Sequence, residues 1–211
     1  MKHASEMIRK YPDLDPCLPA LLQAYETLVR CYRQGGKLLI CGNGGSAADS
    51  EHIVAELMKG YLCMRPLPAE ARRCLVEAAP QDGAYLADHL QSALPAISLS
   101  SHHALLTAFS NDVAPDLAFA QQVYGYGKPG DVLLAISTSG NSKNILHAVQ
   151  VGRAINLHTV GLTGRSGGAL KRLCEIAICV PYDRTPDIQE RHLAVYHTLC
   201  AMLEETFFET A

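Results

Sequence analysis

The stretch Lys37-Leu-Leu-Ile-Cys-Gly-Asn-Gly-Gly-Ser46 changes character halfway along. Residues 37–41 run apolar without alternation, the pattern of a strand covered on both faces. Residues 42–45 are too rich in glycine for either regular element, and a helical pattern follows over 46–59. Strand, glycine turn and helix make one βα unit, and the same alternation recurs outward along the chain. Further strands are expected at 96–99, 132–136, 159–162 and 176–180, with helices at 101–110, 115–124, 142–154, 168–173 and 187–208. Upstream, Asp15-Pro16 reads as a helix cap followed by proline at the first helical position. Leu18, Leu21, Leu22, Tyr25, Leu28, Val29 and Tyr32 then recur at helical spacing, so an N-terminal helix is expected at 16–34, ended by Gly35-Gly36. Strands apolar on both faces and separated by helices predict an α/β fold, a parallel sheet covered by helices on both sides. Residues 62–94 break the rhythm with a Pro- and Ala-rich, mixed-charge insertion, expected to be partly helical.

With 211 residues, 48% of them hydrophobic and 18% charged, the chain can bury a core without metal or disulfide support. A net charge of −3 with scattered Lys and Arg argues against nucleic acid as a partner. No run approaches the ~18–20 apolar residues of a membrane span, and the N-terminus lacks the apolar core of a signal peptide. The eight cysteines show no CxxC spacing and several lie inside apolar runs, as reduced, buried thiols of a cytoplasmic protein do. Nine histidines leave more room for chemistry.

In open parallel sheets, ligands bind where strand C-termini meet helix N-termini. The loop Cys41-Gly-Asn-Gly-Gly-Ser46 is neither a dinucleotide fingerprint nor a P-loop, yet it offers backbone donors and a helix dipole to an anion. The strand at 132–136 leads into Ser137-Thr138-Ser139-Gly-Asn-Ser142, four hydroxyls at a second helix start. Neutral donors of this kind suit a phosphate monoester that must bind and leave again. On the helix at 46–59, His52 and Glu56 stand one turn apart on one face, and the C-terminal helix carries Gln189, His192 and His197, with 189 and 197 on a shared face. These groups suit an acid/base pair, a metal site, or both.

Six blocks, Cys41-Gly-Asn-Gly-Gly-Ser46, Asn111-Asp112, Gly130-Asp131-Val-Leu-Leu, Ile136-Ser-Thr-Ser-Gly-Asn-Ser142, Leu162-Thr-Gly-Arg-Ser-Gly-Gly168 and Ile188-Gln-Glu, together resemble the phosphoheptose isomerases of the sugar-isomerase (SIS) superfamily. The resemblance covers most of the chain apart from 62–94. It implies a single SIS domain over 1–211, a flavodoxin-like three-layer αβα sandwich with a five-stranded parallel sheet, assembled as a homotetramer with active sites shared between subunits. It also implies conversion of sedoheptulose 7-phosphate to D-glycero-D-manno-heptose 7-phosphate through an enediol, with Glu56 as base and His197 as acid. By the same resemblance Zn2+ would be held by His52, Glu56, Gln189 and His197. The phosphosugar would be held by Ser137, Thr138, Ser139 and Ser142, with Asn43, Gly44, Ser46, Asp112 and Gln189 around the sugar.

The pattern departs from the family at Gly60, where an arginine is expected (Lys59 is adjacent), and at Pro186, where an acidic residue is expected (Asp187 is adjacent). A related SIS protein regulates replication by binding the initiator protein and lacks the catalytic pair; the GNGGSAA run looks more like that regulator. A phosphosugar-sensing module without turnover is a further alternative. Glu56 and His197 favour the enzyme.

Overall fold

The structure is a computed structural model and describes residues 2–208. Five strands, β1 (Leu38–Cys41), β2 (Ala96–Ser98), β3 (Val132–Ser137), β4 (His158–Thr163) and β5 (Ile176–Cys179), form one all-parallel sheet in the order β2-β1-β3-β4-β5. The chain leaves β1 for one edge of the sheet and returns at β3 to build the other, so the topological switch lies between β1 and β3.

Alternation along the strands explains why they read as unbroken apolar runs. Leu38 and Ile40 enter one core with Val132, Leu134 and Ile136; Leu39 and Cys41 enter the other with Leu133 and Ala135. The first core is closed by α2 (Leu18–Arg33), α3 (Gly45–Met58) and α10 (Thr185–Phe208), through Leu21, Leu28, Ile53, Leu57, Ile188, Val195 and Leu199. The second is closed by α7 (Ala118–Tyr126) and α8 (Lys143–Ala154), through Phe119, Val123, Ile145 and Val149, with Leu170 of the short α9 (Leu170–Leu173). At the opposite end of the sheet from the loops of interest, buried Asp131 accepts hydrogen bonds from the backbone N–H groups of Lys37 (2.9 Å) and Lys128 (2.8 Å) and pairs with Lys37 Nζ at 2.5 Å.

Most expected elements fall within a residue or two of their place, and the differences have local causes. The reading of Asp15-Pro16 as a helix start was wrong: residues Pro12–Cys17 form a 3₁₀ turn that contains Pro16, and α2 begins at Leu18. Pro19, at the first turn of α2, is the proline whose missing N–H costs nothing. An additional helix, α1 (Lys2–Lys10), precedes it; only Ala4 and Met7 of its nine residues are buried, too few for a periodic signal. The helices expected at 101–110 and 115–124 are α6 (His103–Asp112) and a 3₁₀ turn, Pro115–Leu117, followed by α7. The 62–94 segment is partly helical as expected, with α4 (Ala69–Ala78) and α5 (Gly83–His89). Its base is pinched shut by Ser92 N–H donating to the Arg65 carbonyl (2.8 Å) and Leu94 N–H to the Leu57 carbonyl (3.0 Å). No helix among the described residues is long and apolar enough to cross a membrane.

Candidate active site

Three helices, α3, α8 and α10, begin around one cleft of about 310 Å³ at the switch between β1 and β3. Asn43, Gly44, Gly45, Ser46, Ser137, Thr138, Ser142 and Gln189 line it, and none of its lining side chains carries a charge. Positive helix ends and neutral hydroxyls and amides make a site for an anion that is held and released. Gly44 adopts φ +57° at the cap of α3, a left-handed conformation that suits glycine. Gly45 follows because a Cβ there would collide with the Gln189 amide.

Sequence reasoning missed two residues, one that lines this cleft and one that braces it. Thr185 lines it from the first turn of α10, which starts two residues earlier than the periodicity indicated. Asn144, in the first turn of α8, exchanges paired amide hydrogen bonds with Asn43 (3.0 and 2.9 Å), joining the loop after β1 to the helix after β3. Ser137 and Ser142 hydroxyls lie 3.2 Å apart. Ser139 instead points outward, its hydroxyl accepting from Asn141 N–H at 3.2 Å. Asp112 sits exposed at the end of α6, accepting from Asn111, and does not line the cleft.

Farther along the same two helices is a titratable cluster. His52 Nε2 lies 3.1 Å from Glu56 Oε1 and 3.4 Å from His197 Nε2, with the two imidazoles edge to face. Glu56 Oε2 is buried with no hydrogen-bond partner; Lys59 Nζ is 3.6 Å away. A buried lone pair without a donor is costly to keep unless something binds there. Burial, then the neighbouring His52, holds His197 below the usual imidazole range. His197 also lines a second cleft, of about 350 Å³, with His3, Lys10 and Tyr61. His192 has no part in this cluster: it is fully buried, and burial lowers its pKa to about 4, so it is neutral.

The end of α3 is held by an ion pair that the sequence did not reveal. Arg65, 1% exposed, donates to the Leu57 carbonyl (2.7 Å), the Glu56 carbonyl (2.9 Å) and Glu204 Oε1 (2.8 Å). Glu204 also accepts from the N–H groups of Tyr61 (2.7 Å) and Leu62 (2.6 Å). Burial would raise the Glu204 pKa, but these donors outweigh it and hold the carboxyl below its ordinary range. The pair thus satisfies helix-end carbonyls directly behind Glu56 and ties the mouth of the 62–94 segment to α10.

The SIS-domain family model matches residues 18–85 and 74–164. The phosphoheptose isomerase of Rhodospirillum rubrum is 40% identical over 91% of this chain and 88% of its own, and that of Pelobacter propionicus 39% identical over 90% and 87%. The chain belongs to the phosphoheptose isomerase family of SIS-domain proteins. The solved phosphoheptose isomerase GmhA of Neisseria gonorrhoeae superposes with a TM-score of 0.75 at 33% identity, covering 97% of this chain and 96% of that one. These relatives do not favour the replication-regulator alternative.

Among the described residues no three His, Cys, Asp or Glu side chains stand as a ready metal cage. The imidazoles of His52 and His197 and the Glu56 carboxylate are nevertheless zinc donors, and the 3.1 and 3.4 Å separations at His52 Nε2 approach the edge of a tetrahedron with bonds of about 2.0–2.1 Å, whereas Gln189 lines the phosphate cleft beside Gly45.

Proposed function

We propose that the chain is a phosphoheptose isomerase, interconverting sedoheptulose 7-phosphate and D-glycero-D-manno-heptose 7-phosphate. The observation that carries this reading is Glu56, held through Oε1 by His52 while the buried Oε2 has no hydrogen-bond partner, beside His197. The carboxylate takes the proton from the carbon next to the carbonyl and returns it to the neighbouring carbon of the enediol. Lowered by burial, His197 is neutral near pH 7 and donates its N–H to the carbonyl oxygen. The hydroxyl cleft holds the phosphate through Ser137, Thr138 and Ser142, with Asn43, Gly44, Ser46 and Gln189 at its rim. Incubation with sedoheptulose 7-phosphate should yield the aldose; no product would defeat the proposal.

The family's zinc belongs to the same proposal. His52, Glu56 and His197 would hold it, Gln189 of the family pattern would have to turn toward them from the phosphate cleft, and when bound the ion would polarise the sugar carbonyl. Added zinc should raise the melting temperature of chelator-treated protein, and His52→Ala should abolish the rise; no shift in the parent protein refutes metal binding.

A homotetramer with shared sites is supported by the placement of the two half-sites. Glu56 lies eleven residues past Gly45, about 16 Å along α3, and His197 lines a different cleft from the phosphate loops. The bare Oε2 of Glu56 would then meet a phosphosugar held in part by another subunit. Asp112 and Ser139, outside the cleft in one chain, would reach the substrate across that interface. Mixing the Glu56→Gln protein with a Ser137→Ala/Ser142→Ala protein, at a substrate concentration far below the KM of the second, and re-forming the oligomer should raise the activity above that of either protein alone. No recovery would place each site within one chain. A cytoplasmic setting, part of the same proposal, fits cysteines that form no disulfide among the described residues.

A further inference from the structure

We propose that Asp13, Tyr182 and Arg191 are positioning residues that hold the start of α10 against the phosphate cleft, so that the N-terminal segment of the chain shares in the grip on the substrate's phosphate. The inference rests on the reading of that cleft as the phosphate site. The three side chains come from three separate segments: Asp13 from the 3₁₀ turn Pro12–Cys17, Tyr182 from the loop between β5 and α10, and Arg191 from α10 itself. They close a triangle. Arg191 Nε and the Tyr182 hydroxyl both donate to Asp13 Oδ2, at 2.8 and 3.1 Å, and Arg191 Nη2 donates to the Tyr182 oxygen at 3.2 Å. The guanidinium also lies over the rings of Tyr11 (5.3 Å) and Tyr182 (5.0 Å). A planar fork that stacks and donates along two edges is what arginine supplies and lysine does not.

What the triangle holds is visible at Gly164, in the loop after β4. A Cβ there would fall 2.6 Å from Ile188 Cδ1, 2.9 Å from the Thr138 carbonyl oxygen and 3.0 Å from the Tyr182 carbonyl oxygen. The start of α10, the Tyr182 loop and the phosphate loop therefore meet at one point with no room for a side chain between them. Hydrogen bonds run through the same point: Gly164 N–H donates to the Thr138 carbonyl (3.1 Å) and Arg165 N–H to the Tyr182 carbonyl (2.9 Å). On the cleft side, Thr185 and Gln189 of α10 line the site beside Thr138. The neighbouring ion pairs, Arg165–Asp183 and Arg184–Asp187, each include a side chain well over half exposed and are worth little, whereas Asp13 and Arg191 are 30% and 22% exposed. Neither Asp13 nor Arg191 lines the cleft, so both act through Thr185, Gln189 and Thr138. The later turns of α10 send Val195, Tyr196 and Leu199 into the core, so loosening the triangle frees the helix start and leaves His197 in place.

Thermal melts of the full-length protein titrated with inorganic phosphate, set beside steady-state kinetics, separate positioning from bulk stability, because the phosphate-dependent rise reports affinity whatever the starting melting temperature. Asp13→Ala and Arg191→Met should each weaken phosphate binding and raise KM together, by about 3–10-fold, with kcat nearly unchanged. Asp13→Asn, whose amide oxygen can still accept from Arg191 and Tyr182, should stay near the parent protein in both readouts. A lower melting temperature with phosphate affinity and KM unaltered would make the triangle merely structural and overturn the proposal. A fall in kcat without a rise in KM, or an Asp13→Asn protein as weak as Asp13→Ala, would overturn it too. If Arg191→Met fails to fold, Tyr182→Phe removes only a hydroxyl from the triangle, and parental affinity and KM in that variant would count against the proposal. A parent protein whose melting temperature does not respond to phosphate would defeat the phosphate reading of the cleft and the proposal with it. Phosphate affinities that follow the expected order in a protein without isomerisation would sink the reaction and leave the triangle standing.

Discussion

The first turns of α3 and α10 and the later turns of the same two helices do opposite kinds of chemistry. The helix starts offer neutral donors and dipole ends, which hold an anion without changing protonation. The later turns offer Glu56, His52 and His197, which matter because they exchange protons. Separating the two lets a tight phosphate grip coexist with a base whose charge is not neutralised by it. Substitutions in one region should therefore move KM, and in the other kcat.

The largest effect is expected at Glu56→Gln, which should lower kcat by about 10²–10⁴-fold while KM stays near its parent value; steady-state kinetics check it, and near-parent activity would remove Glu56 as the base. Next is Glu204→Gln, which leaves the Arg65 charge buried without its partner. A stability loss of about 3–5 kcal/mol is expected in denaturant titration, with kcat falling more than KM because Arg65 caps the turn that carries Glu56. His192 comes third. Its folded pKa, about 4, lies below the ordinary 6.5, so the unfolded chain takes up the proton first. The stability is therefore full above pH 6.5 and declines toward pH 4, by about 3 kcal/mol. His192→Gln should flatten that part of the pH profile, and an unchanged profile would contradict it. Smallest is Ser142→Ala, which removes one donor from the cleft: about 1 kcal/mol, seen as a several-fold rise in KM with kcat intact. A kcat effect there would blur the division between the regions.

The helix-start region was far more legible than what supports the cluster. Asn43, Ser46, Ser137 and Ser142 announce themselves because glycine turns and hydroxyl runs follow apolar strands, all within a few residues. His52 and Glu56 are visible through their i, i+4 spacing and His197 through the helix face it shares with Gln189, while the role of His197 as acid entered through the family resemblance. Arg65 and Glu204 carry no such signal; their meeting depends on how the 62–94 segment packs against α10, 139 positions apart. His192 shows the converse error, since spacing made it a near neighbour of the chemistry whereas its side of α10 faces the core.

The reciprocal amides of Asn43 and Asn144 have a consequence for how the cleft meets its ligand. Each side chain supplies the donor that the other lacks, so the two loops are already ordered before any phosphate arrives. Immobilising a polar side chain on binding costs about 0.5–1.5 kcal/mol, and here that ordering belongs to folding. The arrangement is also unforgiving in composition: an aspartate at either position would set acceptor against acceptor and turn a clasp between two strands into a point of repulsion beside an incoming anion.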